Sequence, residues 1–548
     1  MGVLRRLAAA EQPTRRAVLR AGALAGASAL GAGCLIPRPD TAKVPDARRA
    51  GVPAPDVEAL LAQMTLDEKI GQMTQADRSA LQDGTEINKS LLGSVLNGGD
   101  SLPIPNKPSA WADMTDAYQS QALSTRLGIP LLYGADAVHG HNGVKGATIF
   151  PHNIALGCTR DPALVQAVAR ATAREIAATG VDWTFAPCVA VPRDERWGRT
   201  YEGFGETPEL VASLGAAAVH GYQDASDGTA VLACAKHFLG DGGTARGKDQ
   251  GDTQISEEEL RRIHLPGYAA AIQAGVATVM VSYSSVNGQP MHGNRALITG
   301  LLKGELGFSG FVVTDWQAID KMPGDYTHDV ETAINAGIDM VMVPINFPEF
   351  IRVLKMLVGA GRVSMARIDD AVRRILRQKA RFHLWEKPFC DRALLPEVGA
   401  PAHRALARQA VRQSVVVLKN EGGLLPLRKD ARVLVAGAKA DDLGAQCGGW
   451  TVSWQGRHGD LTDGTNLRQG IAELIGKGKV DFAETVPGSV TADVVIVVVG
   501  EDPYAEGRGD RAHPILADSD RALVATARQT GKPVVVVLLA GRPLVLGP

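Results

Sequence analysis

From about residue 53 to residue 389, short apolar runs recur along the chain, and each ends on polar residues. The clearest are Leu131-Leu132-Tyr133-Gly134-Ala135-Asp136, Trp183-Thr184-Phe185-Ala186-Pro187, Val231-Leu232-Ala233-Cys234-Ala235-Lys236-His237, Val279-Met280-Val281-Ser282-Tyr283 and Gly310-Phe311-Val312-Val313-Thr314-Asp315-Trp316. Helical patterns lie between them, such as 162–179 and 256–274, the second opening on Ser256 with Glu259 three residues on, a capping-box pattern. This alternation predicts parallel strands joined by helices. Strands are expected at 91–96, 131–136, 183–187, 231–237, 278–283, 311–316 and 340–344. Their number and spacing fit a β/α barrel better than an open doubly wound sheet. No Gly-x-Gly-x-x-Gly follows the first strand, so a dinucleotide site lacks support.

In a β/α barrel the side chains at the C-terminal strand ends converge on one pocket. That makes Asp315 the most informative residue. A carboxylate beside a Trp suits sugar chemistry: the acid does bond chemistry, and the indole packs on the apolar face of a pyranose. Read alone, Asp315 could equally be a strand-end or helix-cap aspartate. The composition changes again near 389–401. A helix pattern at 403–415 follows, then apolar runs at 433–436, 494–499 and 534–539, which predict a second α/β domain with a parallel sheet. No internal repeat is present.

Composition narrows the function classes. The chain has 548 residues, so two or three domains are expected. Lys and Arg number 58 against 59 Asp and Glu, a balance that gives no long-range field for nucleic acid. The six cysteines, Cys34, Cys158, Cys188, Cys234, Cys390 and Cys447, lack metal-type spacing and do not form a disulfide framework; buried free thiols are expected. At the N-terminus, Arg15-Arg16 precedes a small-residue apolar run from Ala21 to Cys34. This reads as a twin-arginine export signal over 1–34, with Cys34 in a loose lipoprotein-type context as a candidate lipid anchor, and a Pro- and Ala-rich linker at 35–52.

Six motifs, in order, resemble glycoside hydrolase family 3, in particular its two-domain exo-β-glucan glucohydrolases and β-glucosidases. They are Tyr133-Gly134-Ala135-Asp136-Ala137-Val138-His139-Gly140; Arg193-Asp194-Glu195-Arg196-Trp197-Gly198-Arg199; Lys236-His237-Phe238-Leu239-Gly240-Asp241-Gly242-Gly243; Val313-Thr314-Asp315-Trp316; Cys447-Gly448-Gly449-Trp450-Thr451-Val452-Ser453-Trp454; and Gly500-Glu501-Asp502-Pro503-Tyr504-Ala505-Glu506-Gly507. The resemblance implies a (β/α)8-type barrel at 53–390, a linker and helix at 391–430, and an (α/β)6 sandwich at 431–548 with the active site between the domains. Family sandwiches usually continue past a stretch like Gly541 to Val545, so the sandwich is expected to be incomplete at its C-terminus.

The resemblance also implies roles. Asp315 is the nucleophile and Glu506 the acid/base, with Glu501 the nearby competitor. Asp136, Arg199, Lys236 and His237 hold the sugar in subsite −1, and Met280 and Tyr283 line the same pocket. Trp316 and Trp454 clamp subsite +1, with Trp450 the alternative to Trp454. Each has a plainer reading: a structural ion pair for Arg199 and Lys236, a satisfied core histidine for His237, core packing for Met280, interdomain packing for the tryptophans, and an exposed loop glutamate for Glu506. Gln250 and Lys321 depart from some relatives, which carry an acid and an Arg nearby, and the loop after Gly243 lacks the Asp-x-His pair of single-domain β-N-acetylglucosaminidases.

The expected protein is an exported, periplasmic or secreted, retaining β-glucosidase. It takes terminal β-D-glucosyl residues from β-glucans or gluco-oligosaccharides without metal or organic cofactor. The rivals are a β-xylosidase or β-N-acetylglucosaminidase on the same fold, or a non-catalytic sugar-binding fragment.

Overall fold

The computed structural model describes residues 51–546; the export signal, the lipid-anchor candidate Cys34 and nearly all of the 35–52 linker lie outside the described residues. The strands, in chain order, are β1 (Thr74–Asp77), β2 (Ser94–Asn97), β3 (Leu132–Ala135), β4 (Trp183–Thr184), β5 (Cys234–Phe238), β6 (Asp252–Thr253), β7 (Thr278–Val281), β8 (Ser285–Val286), β9 (Gln289–Pro290), β10 (Phe311–Val313), β11 (Val341–Met342), β12 (Val433–Ala436), β13 (Val480–Ala483), β14 (Val494–Gly500) and β15 (Val534–Leu539). One five-stranded sheet has the order β11-β1-β2-β3-β4 and a three-stranded sheet the order β10-β7-β5; all their pairings are parallel. Parallel bridges Trp183–Leu232, Cys188–Lys236 and Val313–Met340 join the two sheets at both edges. Strands β6, β8 and β9 form a small separate sheet.

These strands are buried on both sides, so they read as continuous apolar runs rather than alternating ones. β5 departs from this at Lys236 and His237, and β1 departs most. Thr74, Gln75 and Asp77 are polar yet buried, with Gln75 Nε2 donating to Ser94 Oγ at 2.8 Å. No apolar run marks β1, and it is absent from the expected strands. Trp183 anchors the interior, edge-on to Phe185 at 4.8 Å and to Phe311 at 5.2 Å, and its indole N–H donates to Thr278 at 2.9 Å. At the opposite end of the strands, Lys379 of helix Met365–Arg381 is fully buried, and its ammonium donates to Gln72, to the Gly93 carbonyl and to the Pro130 carbonyl.

The expected helix at 256–274 is broken. It consists of a short turn Glu257–Glu259, a π segment Leu260–His264 and the helix Pro266–Gln273. Pro266 lacks an N–H to donate and so interrupts the ladder. Ser256 does cap the first turn, but Glu259 reaches the Ser256 hydroxyl rather than its backbone N–H, so the capping box is incomplete. Complete boxes occur at Thr65/Glu68 and Asn466/Gln469.

The second parallel sheet has the order β13-β12-β14-β15. β14 alternates between two apolar layers: Val495, Val497 and Val499 pack with Leu516 and Ala527 on one face, and Val494, Ile496 and Val498 pack with Ala440 on the other. Since chain order reverses between β12 and β14, a crevice opens at their C-terminal ends, the place where open α/β sheets put functional loops. The loop bearing Glu506 leaves β14 there. The five described cysteines are all free; Cys188 and Cys234 are buried and Cys390 and Cys447 half-buried, but Cys158 is exposed, contrary to the expectation of buried thiols. No helix among the described residues is long and apolar enough to cross a membrane.

Candidate active site

Four strands of the first two sheets deliver side chains from the same edge. Asp136 follows β3, Lys236 and His237 lie in β5, Met280 is in β7 with Tyr283 just beyond it, and Asp315 lies two residues past β10. Arg199 comes from the loop after β4, immediately before a short turn Thr200–Glu202.

Asp315 is 14% exposed at its side chain. Its Oδ1 accepts the Trp316 N–H at 2.7 Å, and its own N–H donates to His292 Nε2 at 3.2 Å. Burial pushes His292 down to about 3, so this ring is neutral and its Nε2 is free to accept. The second oxygen, Oδ2, is buried and accepts no hydrogen bond from the described residues; His237 Nε2 stands 3.8 Å from it. An orphaned buried acceptor in a folded protein calls for an explanation.

His237 is fixed from both sides. Nδ1 donates to Asp241 at 2.6 Å and Nε2 accepts from Arg199 Nη2 at 3.0 Å. Burial, helped by the Arg199 charge, holds its pKa well below the ordinary histidine range, so the ring is the neutral Nδ1–H tautomer. Burial pushes Asp241 up to about 6. Arg199 forms a two-pronged pair with Glu202, both bonds 2.9 Å, and its Nη1 lies 3.5 Å from Glu506 Oε1. Burial works against both charges, but each partner outweighs it: Arg199 is held well above its usual range and Glu202 below. Lys236 is likewise buried and stays charged, because Asp136 at 3.2 Å and Glu202 outweigh the desolvation. The ion-pair reading of Arg199 and Lys236 and the sugar-site reading are compatible, because both side chains stand around the same carboxylates.

Glu506 is 21% exposed at its side chain and has φ +55°. Burial, with a contribution from the Asp315 charge and against Arg199, pushes it up to about 8. Glu501, the competitor, is committed elsewhere: its carboxylate accepts from Tyr504 Oη at 2.9 Å and from Gly541 N at 3.1 Å, and pairs with Arg542 at 3.0 Å.

Met280 is buried, and Tyr283 stands 6.3 Å from the His292 ring with Lys321 Nζ over its face at 4.0 Å. Lys321 also donates to Gln250 at 2.7 Å, so the two positions that depart from some relatives pair with each other. Trp316 and Trp454 meet one turn of chain: a Cβ on Gly98 would stand 2.1 Å from the Trp316 ring, one on Gly99 3.2 Å from Trp454 Cβ, and Trp454 N donates to Asp100 at 3.0 Å. Trp454 also lines a cleft with Asp136, Asn97, His141 and Trp450. Trp450 is different from Trp454. It is buried, donates its indole N–H to Glu202 at 3.2 Å, and lies 5.7 Å from Lys236 Nζ.

Sequence reasoning did not single out Glu202, Asp241, Asp510 or Arg542. Glu202 and Asp241 follow Arg199 and His237 by three and four residues, a spacing that could have flagged them as local partners. Arg542 had no such local signal. No group of His, Cys, Asp and Glu among the described residues is arranged to hold a metal ion.

Comparisons with known proteins place the chain in a family. Residues 65–378 match the family model of the glycosyl hydrolase family 3 N-terminal domain, and residues 415–548 match that of its C-terminal domain. A lysosomal β-glucosidase of Dictyostelium discoideum is 34% identical over 90% of this chain and 66% of its own length. A periplasmic β-glucosidase of Salmonella typhimurium is 32% identical over 89% of the chain and 68% of its own. The chain therefore spans about two thirds of the length of these curated relatives. Among solved structures, an exo-1,3/1,4-β-glucanase from a Pseudoalteromonas species is 42% identical with TM-score 0.86, covering 89% of this chain and 82% of that one. A β-glucosidase of Listeria innocua in complex with isofagomine is 30% identical with TM-score 0.78, covering 89% and 69%.

Proposed function

The chain belongs to glycosyl hydrolase family 3, and from that premise we propose that it is an exo-acting β-glucosidase that hydrolyses terminal β-D-glucosyl residues with retention of configuration. The observation that carries this reading is Asp315 Oδ2: a buried carboxylate oxygen, at a strand end, that accepts no hydrogen bond from the described residues. A nucleophile needs a free lone pair aimed at the reacting carbon, and Asp315 Oδ2 keeps one unused among the side chains gathered at these strand ends.

Asp315 Oδ2 attacks the anomeric carbon. As the glycosidic bond breaks, its electron pair goes to the leaving oxygen, which takes the proton of Glu506. The products are a glucosyl ester on Asp315 and the departing sugar, which leaves with a free hydroxyl. Glu506, now ionised, takes a proton from water, the resulting hydroxyl oxygen attacks the same carbon, and Asp315 leaves as carboxylate. Asp136, Lys236, Arg199 and His237 supply acceptors and donors to the hydroxyls of the glucosyl unit, and Met280 and Tyr283 line its pocket. Trp316 and Trp454 stack on the sugar of the departing side.

The edge-to-edge bridges support reading the eight parallel strands of the five- and three-stranded sheets as a (β/α)8-type barrel, with the four-stranded sheet as the core of a sandwich. The segment 1–34 is read as an export signal and the protein as periplasmic or secreted, a reading in line with the periplasmic relative. Substrate preference follows the relatives: β-glucosidase and exo-β-glucanase names outweigh the β-xylosidase of Formosa agariphila, at 31% identity.

The test is to incubate the protein with an activated 2-deoxy-2-fluoro-β-glucoside and map the adduct by peptide mass spectrometry. A single adduct on the peptide holding Asp315 is expected, together with faster turnover of aryl β-glucosides than of β-xylosides or β-N-acetylglucosaminides. An adduct on another carboxylate, or none with intact sugar binding, overturns the reading.

A further inference from the structure

Glu506 itself makes few contacts: its carboxylate meets Arg199 at 3.5 Å. Its position is therefore set by the backbone of the loop 504–510. That loop lies hard against the loop holding Arg199. A Cβ on Gly198 would stand 2.0 Å from the Glu506 carbonyl and 2.8 Å from Asp510 N, so only glycine permits the approach.

Two side chains tie these segments together. Asp510 uses both carboxylate oxygens on backbone donors of the first domain: Oδ1 accepts from Gly198 N and Oδ2 from Asp249 N, each at 2.9 Å. Arg542 is completely buried and bonds both segments at once. Its Nη2 donates to the Gly509 carbonyl at 2.5 Å, and its Nη1 reaches the carbonyls of Glu195 at 3.1 Å and Arg196 at 3.3 Å. Its Nε meets Tyr504 Oη and Glu501, both at 3.0 Å, and its guanidinium lies 4.7 Å from the Tyr504 ring centre. Neither side chain touches Glu506 or Asp315 through a hydrogen bond among the described residues.

We propose that Asp510 and Arg542 form a latch that positions Glu506 against Arg199, and that they are positioning residues for the acid/base step. A carboxylate spanning two backbone N–H groups and a guanidinium spanning carbonyls of two segments both fix distance and angle between those segments. Glu501 takes part by neutralising the buried Arg542. The inference rests on Glu506 being the acid/base.

The experiment compares Asp510→Ala, Asp510→Asn, Arg542→Ala and Arg542→Lys with wild type and Glu506→Ala. Each is assayed on 2,4-dinitrophenyl β-glucoside, whose leaving group needs no proton, and on laminaribiose, whose leaving group does. A loop displacement of ~1 Å costs ~10²-fold in a positioned step. The latch variants should lose at least ~10-fold more kcat/KM on laminaribiose than on the aryl glucoside. The alkaline limb of the pH–rate profile should move, and Arg542→Lys should recover part of the loss. If Arg542→Ala does not fold, Asp510→Asn decides, because an amide offers one acceptor oxygen to two N–H donors. Equal losses on both substrates with an unmoved pH profile, or no loss, overturn the latch. If Glu506→Ala shows the leaving-group selectivity and the latch variants do not, the latch alone fails. If Glu506→Ala lacks that selectivity, the acid assignment fails and the latch with it.

Discussion

Arg199 Nη1 lies 3.5 Å from Glu506 Oε1, while the rest of the same guanidinium is committed to Glu202 and His237. A lone arginine beside a carboxyl group would hold it ionised. Here burial, joined by the charges of Asp315 and Glu202, outweighs the arginine, and Glu506 is pushed up to about 8. The carboxyl keeps its proton at neutral pH because burial and the surrounding carboxylates outweigh the arginine beside it.

The first prediction concerns pH. Glu506 must be protonated to assist departure, so kcat/KM for disaccharides is present below about 8 and falls as pH rises through that value. Dinitrophenyl β-glucoside should lack this limb. An identical limb for both substrates would assign it to another group.

Asp315 raises the Glu506 pKa by its charge, and that charge disappears when Asp315 becomes a glucosyl ester. The Glu506 pKa should therefore be lower in the trapped 2-fluoroglucosyl form than in the free protein, which readies it as the base for the second step. Carbon-13 NMR of labelled glutamate would follow both titrations. An unchanged or raised value in the trapped form would refute the coupling.

A buried carboxyl with a raised pKa also affects stability. Below the unfolded value of about 4.3 the group is neutral in both states and contributes nothing through ionisation. Between that value and about 8 the unfolded chain releases the proton and the folded chain keeps it, so stability falls with rising pH. Glu506→Gln removes this effect. Its melting temperature should exceed that of wild type at pH 8 to 9, with the gap closing near pH 4. A gap that does not vary with pH would count against it.

Glu202→Ala should be costly for a different reason. It leaves the Arg199 guanidinium, 4% exposed, without its two-pronged partner. Breaking a buried pair in this way costs ~3–5 kcal/mol. Urea unfolding should give a loss of that order together with loss of activity, and a change below ~1 kcal/mol, the scale of exposed pairs, would show the pair to be dispensable.

Much of this was legible in the chain and some was not, for physical reasons. Strands β7 and β10 are apolar on both faces, so runs such as Val279-Met280-Val281 mark them directly. β1 is hidden because its buried residues Thr74, Gln75 and Asp77 satisfy their polarity inside the fold, a tertiary property that no local window contains. Asp315 and Glu506 stand out by motif, since each follows an apolar run on a short loop. Arg542 does not, because its partners Glu195, Arg196 and Gly509 lie far from it in sequence and are mostly backbone carbonyls, which carry no residue signature. The break in the 256–274 helix was readable from Pro266, but the apolar periodicity on both sides masked it.

The last prediction uses the turn beneath the two indoles. A Cβ on Gly98 would stand 2.1 Å from Trp316 Cζ3 and 2.5 Å from Cη2, closer than any real contact, so in Gly98→Ala the ring must move. The ring is half-buried with Asp315 as its neighbour in sequence; the Asp315 carboxylate accepts from the Trp316 backbone N–H, which a rotation of the indole about its own side-chain bonds leaves in place, and the Asp315 N–H stays on His292. The substitution should therefore disturb stacking without disturbing attack. Loss of an aromatic stack is worth about 1 kcal/mol, or about a 5-fold rise in KM. Gly98→Ala and Trp316→Ala should both raise KM for laminaribiose and cellobiose by about that factor. The rate of 2-fluoroglucosylation from the activated aryl glycoside should change much less, because its aglycone stacks weakly and its chemistry depends on Asp315. If KM for the disaccharides stays at the wild-type value in both variants, Trp316 packs the domain interface and does not bind sugar. If 2-fluoroglucosylation slows in step with KM, the turn at Gly98 supports Asp315 as well, and the separation between stacking and attack is wrong.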